Sequence, residues 1–79
     1  MTRPAITVYS RPGCHLCEVL VEELLPLVRD LAKVEVTNVD DDEALAEAYG
    51  LRIPVVEIDG REVCHFHLDR DAVLKSLKA

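Results

Sequence analysis

The sequence predicts an α/β fold in a single domain that spans residues 1–79, with the element order βαβαββα. Short β-rich runs alternate with stretches of helical spacing, and a strand–helix–strand unit opens the chain. Asp59-Gly60 is a strong two-residue hairpin signal near its end. A right-handed crossover makes the first two strands parallel, and the hairpin makes the last two antiparallel. We therefore expect a four-stranded mixed sheet with helices on both faces.

The first strand and the first helix follow from the opening third of the chain. Ala5–Ser10 is short and β-rich, and the turn signal in residues 11–13 ends it. Leucines recur at helical spacing from Cys14 to Leu31, which predicts a long helix. Pro26 lies inside this pattern and removes one helical hydrogen bond, so we expect a kink or break near Leu25.

The remaining elements are shorter, and each has a local signal. Lys33–Val39 alternates as a strand does, and Glu43–Tyr49 is a short helix preceded by capping aspartates. Pro54–Ile58 and Arg61–His67 flank the hairpin turn as the third and fourth strands. Asp69 is expected to cap the final helix.

The charge balance excludes several classes of partner. The chain has 9 basic and 15 acidic residues, a net charge of −6, and no cluster of Lys and Arg. Such a surface repels nucleic-acid backbones and acidic membranes. No run approaches the roughly 18 apolar residues of a membrane span, and no targeting segment is visible. We expect a cytoplasmic monomer without nucleic-acid or membrane partners.

The residues with the clearest chemistry are Cys14 and Cys17, at the predicted junction of the first strand and helix. Residues three apart on a helix lie one above the other, close to disulfide range. Unpaired N–H groups and the positive end of the dipole at the helix start favour a thiolate, the nucleophilic form. Position therefore predicts Cys14 as the nucleophile and Cys17 as the resolving cysteine. His15 is a candidate substrate-binding residue, either a cation that aids Cys14 or a solvated first-turn side chain.

A third cysteine leaves a metal-binding alternative open. The odd count argues against a secreted disulfide scaffold and favours redox, metal or catalytic use. A zinc or copper module would use Cys14, Cys17 and Cys64, with His65 or His67 as a further ligand. We favour the interpretation in which Cys64 is a small buried apolar residue and the protein holds no resident metal or cofactor.

The segment Tyr9–Cys17, followed by Arg52–Val56, resembles the glutaredoxin branch of the thioredoxin superfamily. More narrowly, it is similar to small bacterial glutaredoxin-like proteins with a CxLC-type motif. The resemblance implies a thioredoxin-like fold and a disulfide oxidoreductase that reduces protein or glutathione mixed disulfides through Cys14 and Cys17. Its implied context is electron transport and cell redox homeostasis, with disulfide-containing proteins or small thiols as partners.

The same resemblance implies substrate-binding residues around the cysteines. Pro54 matches a cis-proline, which places the backbone of Ile53 where a bound peptide or glutathione pairs with it like an added strand. Arg11 matches a basic residue ahead of the cysteines, and glutathione is the implied electron donor. The glycine pair of glutaredoxins falls here on Cys64 and His65, whose side chains would crowd or redirect glutathione. A non-catalytic binding protein that kept the thioredoxin fold is the remaining alternative.

Overall fold

The computed structural model describes residues 3–78 and has the predicted order of elements. Its strands are β1 Ala5–Ser10, β2 Lys33–Asn38, β3 Val55–Ile58 and β4 Arg61–His65. Its helices are α1 His15–Val28, α2 Glu43–Tyr49 and α3 Arg70–Lys78, with a short 3-10 turn, Val39–Asp41, between β2 and α2. Within this described stretch, no helix combines the length and the apolar character needed to cross a membrane.

The four strands form one mixed sheet in the order β2-β1-β3-β4. β1 and β2 are parallel, whereas β3 is antiparallel to both β1 and β4. Asp59 and Gly60 in the β3–β4 turn have φ values of 50° and 85°. Two consecutive positive φ values give the type I′ turn whose twist matches that of the flanking strands. The predicted α/β class and mixed sheet are thereby confirmed.

The pairing of β3 with β4 contains one irregularity. Val56 pairs with Cys64, whereas Glu57 pairs with Glu62, so the register shifts between them. Val63 is the extra residue of β4, which makes this a β-bulge.

β4 ends two residues earlier than the predicted strand Arg61–His67. Phe66 has a φ of 65°, and its N–H donates to the carbonyl oxygen of Pro54 at 2.9 Å. A left-handed residue cannot continue an extended strand. The chain therefore leaves the sheet after His65, and His67 lies outside β4.

The main core lies on the face of the sheet that α1 and α3 cover. Its members are buried apolar side chains of these helices, of β1 and β3, and of the residue before β2: Ile6, Val8, Leu20, Leu24, Val28, Ala32, Val56, Ile58 and Val73. Full burial of one such branched side chain stabilises the fold by about 1.5–3 kcal/mol. This layer therefore fixes the position of α1, whose N-terminus holds the two cysteines.

Of the kink or break expected near Leu25 in α1, the structure contradicts the break. The helix is not broken near Leu25, because it continues to Val28, and it ends three residues before the predicted Leu31. Pro26 is exposed in the last turn, whereas Leu24 and Val28 beside it are fully buried. Packing of this turn onto the sheet therefore outweighs the loss of one helical hydrogen bond.

The opposite face of the sheet contacts α2 through stacked tyrosine rings and hydrogen bonds. Tyr9 follows Val8 in β1 and so points away from the main core. Its ring stacks on that of Tyr49 in α2, with centroids 4.0 Å apart and planes 8° apart. Both hydroxyls donate to the carboxylate of Glu57, at 3.3 and 2.6 Å, and the hydrogen bond to Glu57 raises the pKa of Tyr49. Helices thus lie on both faces, as predicted.

Candidate active site

Cys14 and Cys17 lie at the junction of β1 and α1 and are joined by a disulfide, with Cα atoms 5.3 Å apart. Cys14 is the N-cap of α1, and its Sγ accepts a hydrogen bond from the backbone N–H of Cys17 at 3.2 Å. Cys14 is half-buried, whereas Cys17 is only 3% exposed. An incoming molecule therefore meets the sulfur of Cys14 first.

The loop before Cys14 sets the direction in which α1 begins. Gly13 has a φ of 80°, a conformation that glycine adopts without a steric cost. The N–H of Cys14 donates to the carbonyl oxygen of Arg11 at 3.2 Å and closes the turn. The backbone N–H of Cys17, in the first turn of α1, donates to the Cys14 sulfur, and the start of the helix stabilises negative charge there.

Arg11 and His15, the two predicted basic residues, have different surroundings. Nε of Arg11 donates to both carboxylate oxygens of Asp40, at 3.0 and 3.1 Å, so that carboxylate offsets its charge. The side chain of His15 is 85% exposed, and its Nδ1 lies 4.0 Å from the carboxylate of Glu18. That Arg11 and His15 bind substrate stays a prediction.

Ile53 and Pro54 lie at the same end of the sheet as the cysteines. The peptide bond between them is cis, as the resemblance implies, and Pro54 is buried. Val55 pairs with Tyr9 near the end of β1, so the residues just before β3 lie beside the chain that leads to Cys14. The backbone of Ile53 is thus at the end of the sheet where the disulfide lies.

Cys64 lies on the edge strand β4, apart from the disulfide. It is half-buried, pairs with Val56 and packs against the main core. Burial raises the pKa of the Cys64 thiol, and the carboxylates of Asp69 and Glu62 act in the same direction, against a hydrogen bond from the Asp69 backbone. These surroundings suit a small apolar residue and favour the neutral thiol.

The metal-binding alternative required Cys64 to share an ion with the CxxC pair. Among residues 3–78, no group of three or more His, Cys, Asp or Glu side chains is arranged to hold a metal ion. Nδ1 of His65 instead lies 3.1 Å from the carboxylate of Glu62, and His67 is exposed. The described residues do not assemble the predicted three-cysteine site.

A groove of about 490 Å³ opens beside the disulfide, between α1 and the edge strand β2. This α1–β2 groove is lined by residues 10–14 and by Cys17, Glu18, Val21, Glu22, Val36 and Asn38. Val36 remains 51% exposed because α1 does not cover the edge strand completely. Alternation in β2 predicts which face Val36 lies on, but it does not predict how far α1 covers that face, so the sequence alone does not indicate the groove.

The chain is similar to known proteins, some in sequence and some in fold. The family of the glutaredoxin-like domain (DUF836) matches residues 5–78. An uncharacterized protein of Mycobacterium tuberculosis is 32% identical over 75 residues, which cover 87% of this chain and 77% of the relative. A solution NMR structure of a protein from Nitrosomonas europaea has a TM-score of 0.85 and 34% identity, covering 96% of this chain and 93% of that one. A thioredoxin variant from Halobacterium salinarum has a TM-score of 0.67 and 26% identity, covering 98% and 74%.

The sheet order, the helix positions and these matches agree on a thioredoxin-like fold. The family match and the bonded pair Cys14–Cys17 fit a thiol oxidoreductase in general. With a family match that extends from the start of β1 to the end of α3, the chain belongs to the glutaredoxin-like domain family (DUF836) of the thioredoxin superfamily.

Proposed function

We propose that the protein is a cytoplasmic thiol–disulfide oxidoreductase that reduces protein disulfides or glutathione mixed disulfides, in electron transport and cell redox homeostasis. The observation that supports this most is the position of Cys14 as the N-cap of α1, with its sulfur 3.2 Å from the N–H of Cys17. The helix start stabilises a thiolate there. A purely structural role is disfavoured, because a disulfide with a sequence separation of 3 closes too short a loop to stabilise the fold much.

The proposed reaction begins with the reduced pair. The Cys14 thiolate attacks one sulfur of the substrate disulfide and forms a mixed disulfide, while the other substrate sulfur leaves as a thiolate and takes up a proton. Cys17, one turn inside α1, then loses its proton and attacks the Cys14 sulfur. The second substrate thiol is released, and the Cys14–Cys17 disulfide of this structure forms. Two electrons have then passed from the protein to the substrate.

The cycle closes when external thiols reduce the Cys14–Cys17 disulfide. We propose glutathione as this electron donor, two molecules of which become one glutathione disulfide. The backbone of Ile53, ahead of the cis bond to Pro54, is the proposed pairing site for an extended substrate chain. The proposed partners of the protein are disulfide-containing proteins or small thiols. We propose that the protein acts as a monomer and binds neither nucleic acid nor a membrane.

Redox equilibration against glutathione buffers, quenched with acid and analysed by mass spectrometry, tests the proposal. We expect a reversible two-electron change confined to Cys14 and Cys17, and turnover of a disulfide substrate by the reduced protein. A Cys64→Ser variant is the matched control, since it removes a cysteine but leaves the pair. A pair that equilibrates with glutathione but reduces no substrate would instead support the non-catalytic binding protein.

A further inference from the structure

We propose that the α1–β2 groove selects cationic disulfide substrates, in which an apolar residue and a Lys or Arg flank the reacting cysteine of a polypeptide. This inference rests on the proposed oxidoreductase function and names its substrate class. It concerns the side of the disulfide that faces β2, whereas the predicted pairing site at Ile53 precedes β3.

The first argument is the position of the groove. Cys14 and Cys17 line it together with Glu18, in the first turn of α1. A substrate held through a mixed disulfide to Cys14 must lie against the surface next to that sulfur. The residues on either side of the substrate cysteine therefore come within reach of the groove.

The second argument is the charge of the groove. Glu18 and Glu22 are exposed and four residues apart, so they lie on the same side of α1. Arg11, the cation that lines the groove, is already bound by Asp40. Within residues 3–78 Glu22 has no ion pair, and the one basic nitrogen that lies within 4.0 Å of the Glu18 carboxylate is Nδ1 of His15. Two carboxylates beside the reacting sulfur attract cations and repel anions.

The third argument is the apolar floor. Val36 is 51% exposed, and Val21 opposite it is half-buried. β2 is an edge strand whose only strand neighbour in the described part of the chain is β1, and α1 covers the face that carries Val36 incompletely. An apolar side chain next to the substrate cysteine would bury this surface, and a cationic one would reach Glu18 or Glu22.

The matching substrate class follows from these charges. Glutathione disulfide carries more carboxylate than ammonium groups, so its net charge is negative. The carboxylates of the groove therefore repel it, whereas they do not repel a neutral disulfide. A peptide with Lys beside its cysteine pairs with the groove instead. The proposal therefore ranks cationic polypeptide disulfides above anionic ones of the same size.

The test uses two synthetic peptides that differ only in Lys or Glu beside one cysteine, each disulfide-bonded to the same neutral thiol. Pre-reduced protein is mixed with each in single-turnover reactions without external reductant, at low and high salt. We expect the Lys peptide to react about tenfold faster at low salt, with a ratio that falls towards one at high salt.

Matched variants locate the effect. In the double variant Glu18→Gln, Glu22→Gln we expect the Lys-to-Glu rate ratio to fall to about two or less. The control is Glu43→Gln, Glu47→Gln, which changes the net charge equally through another exposed pair four residues apart, on α2. This control should keep the ratio of the unmodified protein.

The outcomes separate the two proposals. Equal rates for both peptides at low salt, or a preference that survives in the Glu18 and Glu22 variant, would overturn the inference and leave the oxidoreductase intact. Reduction of neither peptide would overturn the proposed function and this inference with it.

Discussion

The β1–α1 junction and the edge strand β4 each present a cysteine, but they place it in opposite surroundings. Cys14 caps a helix, accepts a backbone hydrogen bond and lines a groove open to solvent. Cys64 packs against Val56 and the main core, where burial raises its pKa. The start of a helix and access to water favour a thiolate at Cys14, whereas burial favours the neutral thiol at Cys64, so we expect Cys14 to be the reactive cysteine.

The largest expected contrast is in turnover. Cys14→Ser should reduce disulfide reduction to the uncatalysed background, because a serine hydroxyl is not an effective nucleophile towards disulfides at neutral pH. Cys64→Ser should keep kcat/KM within about twofold of the unmodified protein. Steady-state kinetics on one peptide disulfide measure both. An active Cys14→Ser variant, or an inactive Cys64→Ser variant that is still folded, would reverse the comparison.

Removal of the resolving cysteine should separate the two halves of the reaction. In Cys17→Ser the mixed disulfide on Cys14 has no internal thiol to displace it, so a covalent adduct with the substrate should accumulate. Peptide mapping by mass spectrometry should find the adduct on Cys14 and a free thiol at Cys64. An adduct found mainly on Cys64 contradicts the assignment of the nucleophile.

Alkylation rates should sharpen the contrast between the two thiols. In the reduced protein at pH 7, iodoacetamide should label Cys14 at least about tenfold faster than Cys64. A raised pKa leaves Cys64 with a smaller thiolate fraction at neutral pH, so its labelling should go on rising with pH above the ordinary thiol range. Cysteine-resolved mass spectrometry at several pH values measures both rates. Equal labelling at pH 7 is the contrary result.

For the free energy of unfolding, the order of the two variants should be reversed, with the larger effect in Cys64→Ser. Cys64→Ser places a hydroxyl against the core and should lower the free energy of unfolding by about 1 kcal/mol. Cys14→Ser, compared with the reduced protein, should change it by less than about 0.5 kcal/mol, because serine is itself a good N-cap. Urea unfolding of the reduced proteins measures both. A larger loss for Cys14→Ser would mean that the N-cap sulfur stabilises the fold.

The smallest effect should come from Glu62, the neighbour of Cys64 on β4. The hydrogen bond with Arg52 lowers the pKa of Glu62, and His65 adds to this. A lowered pKa gives stability that is present above the usual carboxyl range and lost as the pH falls through the folded value. With 30% exposure of Glu62 and 40% of Arg52, solvent should limit the contribution to less than about 1 kcal/mol.

Urea unfolding of the unmodified protein and of Glu62→Gln at pH 7 and pH 3 should therefore give a small difference that shrinks at the lower pH. A difference that grows on acidification would have the wrong sign for this ion pair.

The parts of the fold that depend on local signals could be predicted from the sequence. The hairpin at Asp59-Gly60 and the helix start at the CxxC pair each depend on neighbouring residues alone. The continuation of α1 past Pro26 could not be predicted, because it depends on packing against the sheet. The end of β4 depends on the backbone of Phe66, whose positive φ has no signal in its residue type. The groove depends on how α1 crosses β2, which no periodicity reveals.

The bulge at Val63 has a consequence for the chemistry of the third sulfur. Without the bulge, Val63 would pair with Val56, and Cys64 would pair with Val55. Cys64 would then lie on the face of the sheet that α2 covers. The surplus residue instead turns Cys64 towards the interior. A shift of the β4 register by one residue would move the half-buried thiol of Cys64 to the face of the sheet that carries Glu57. We therefore expect the register of β4 to keep Cys64 out of disulfide exchange with Cys14 and Cys17.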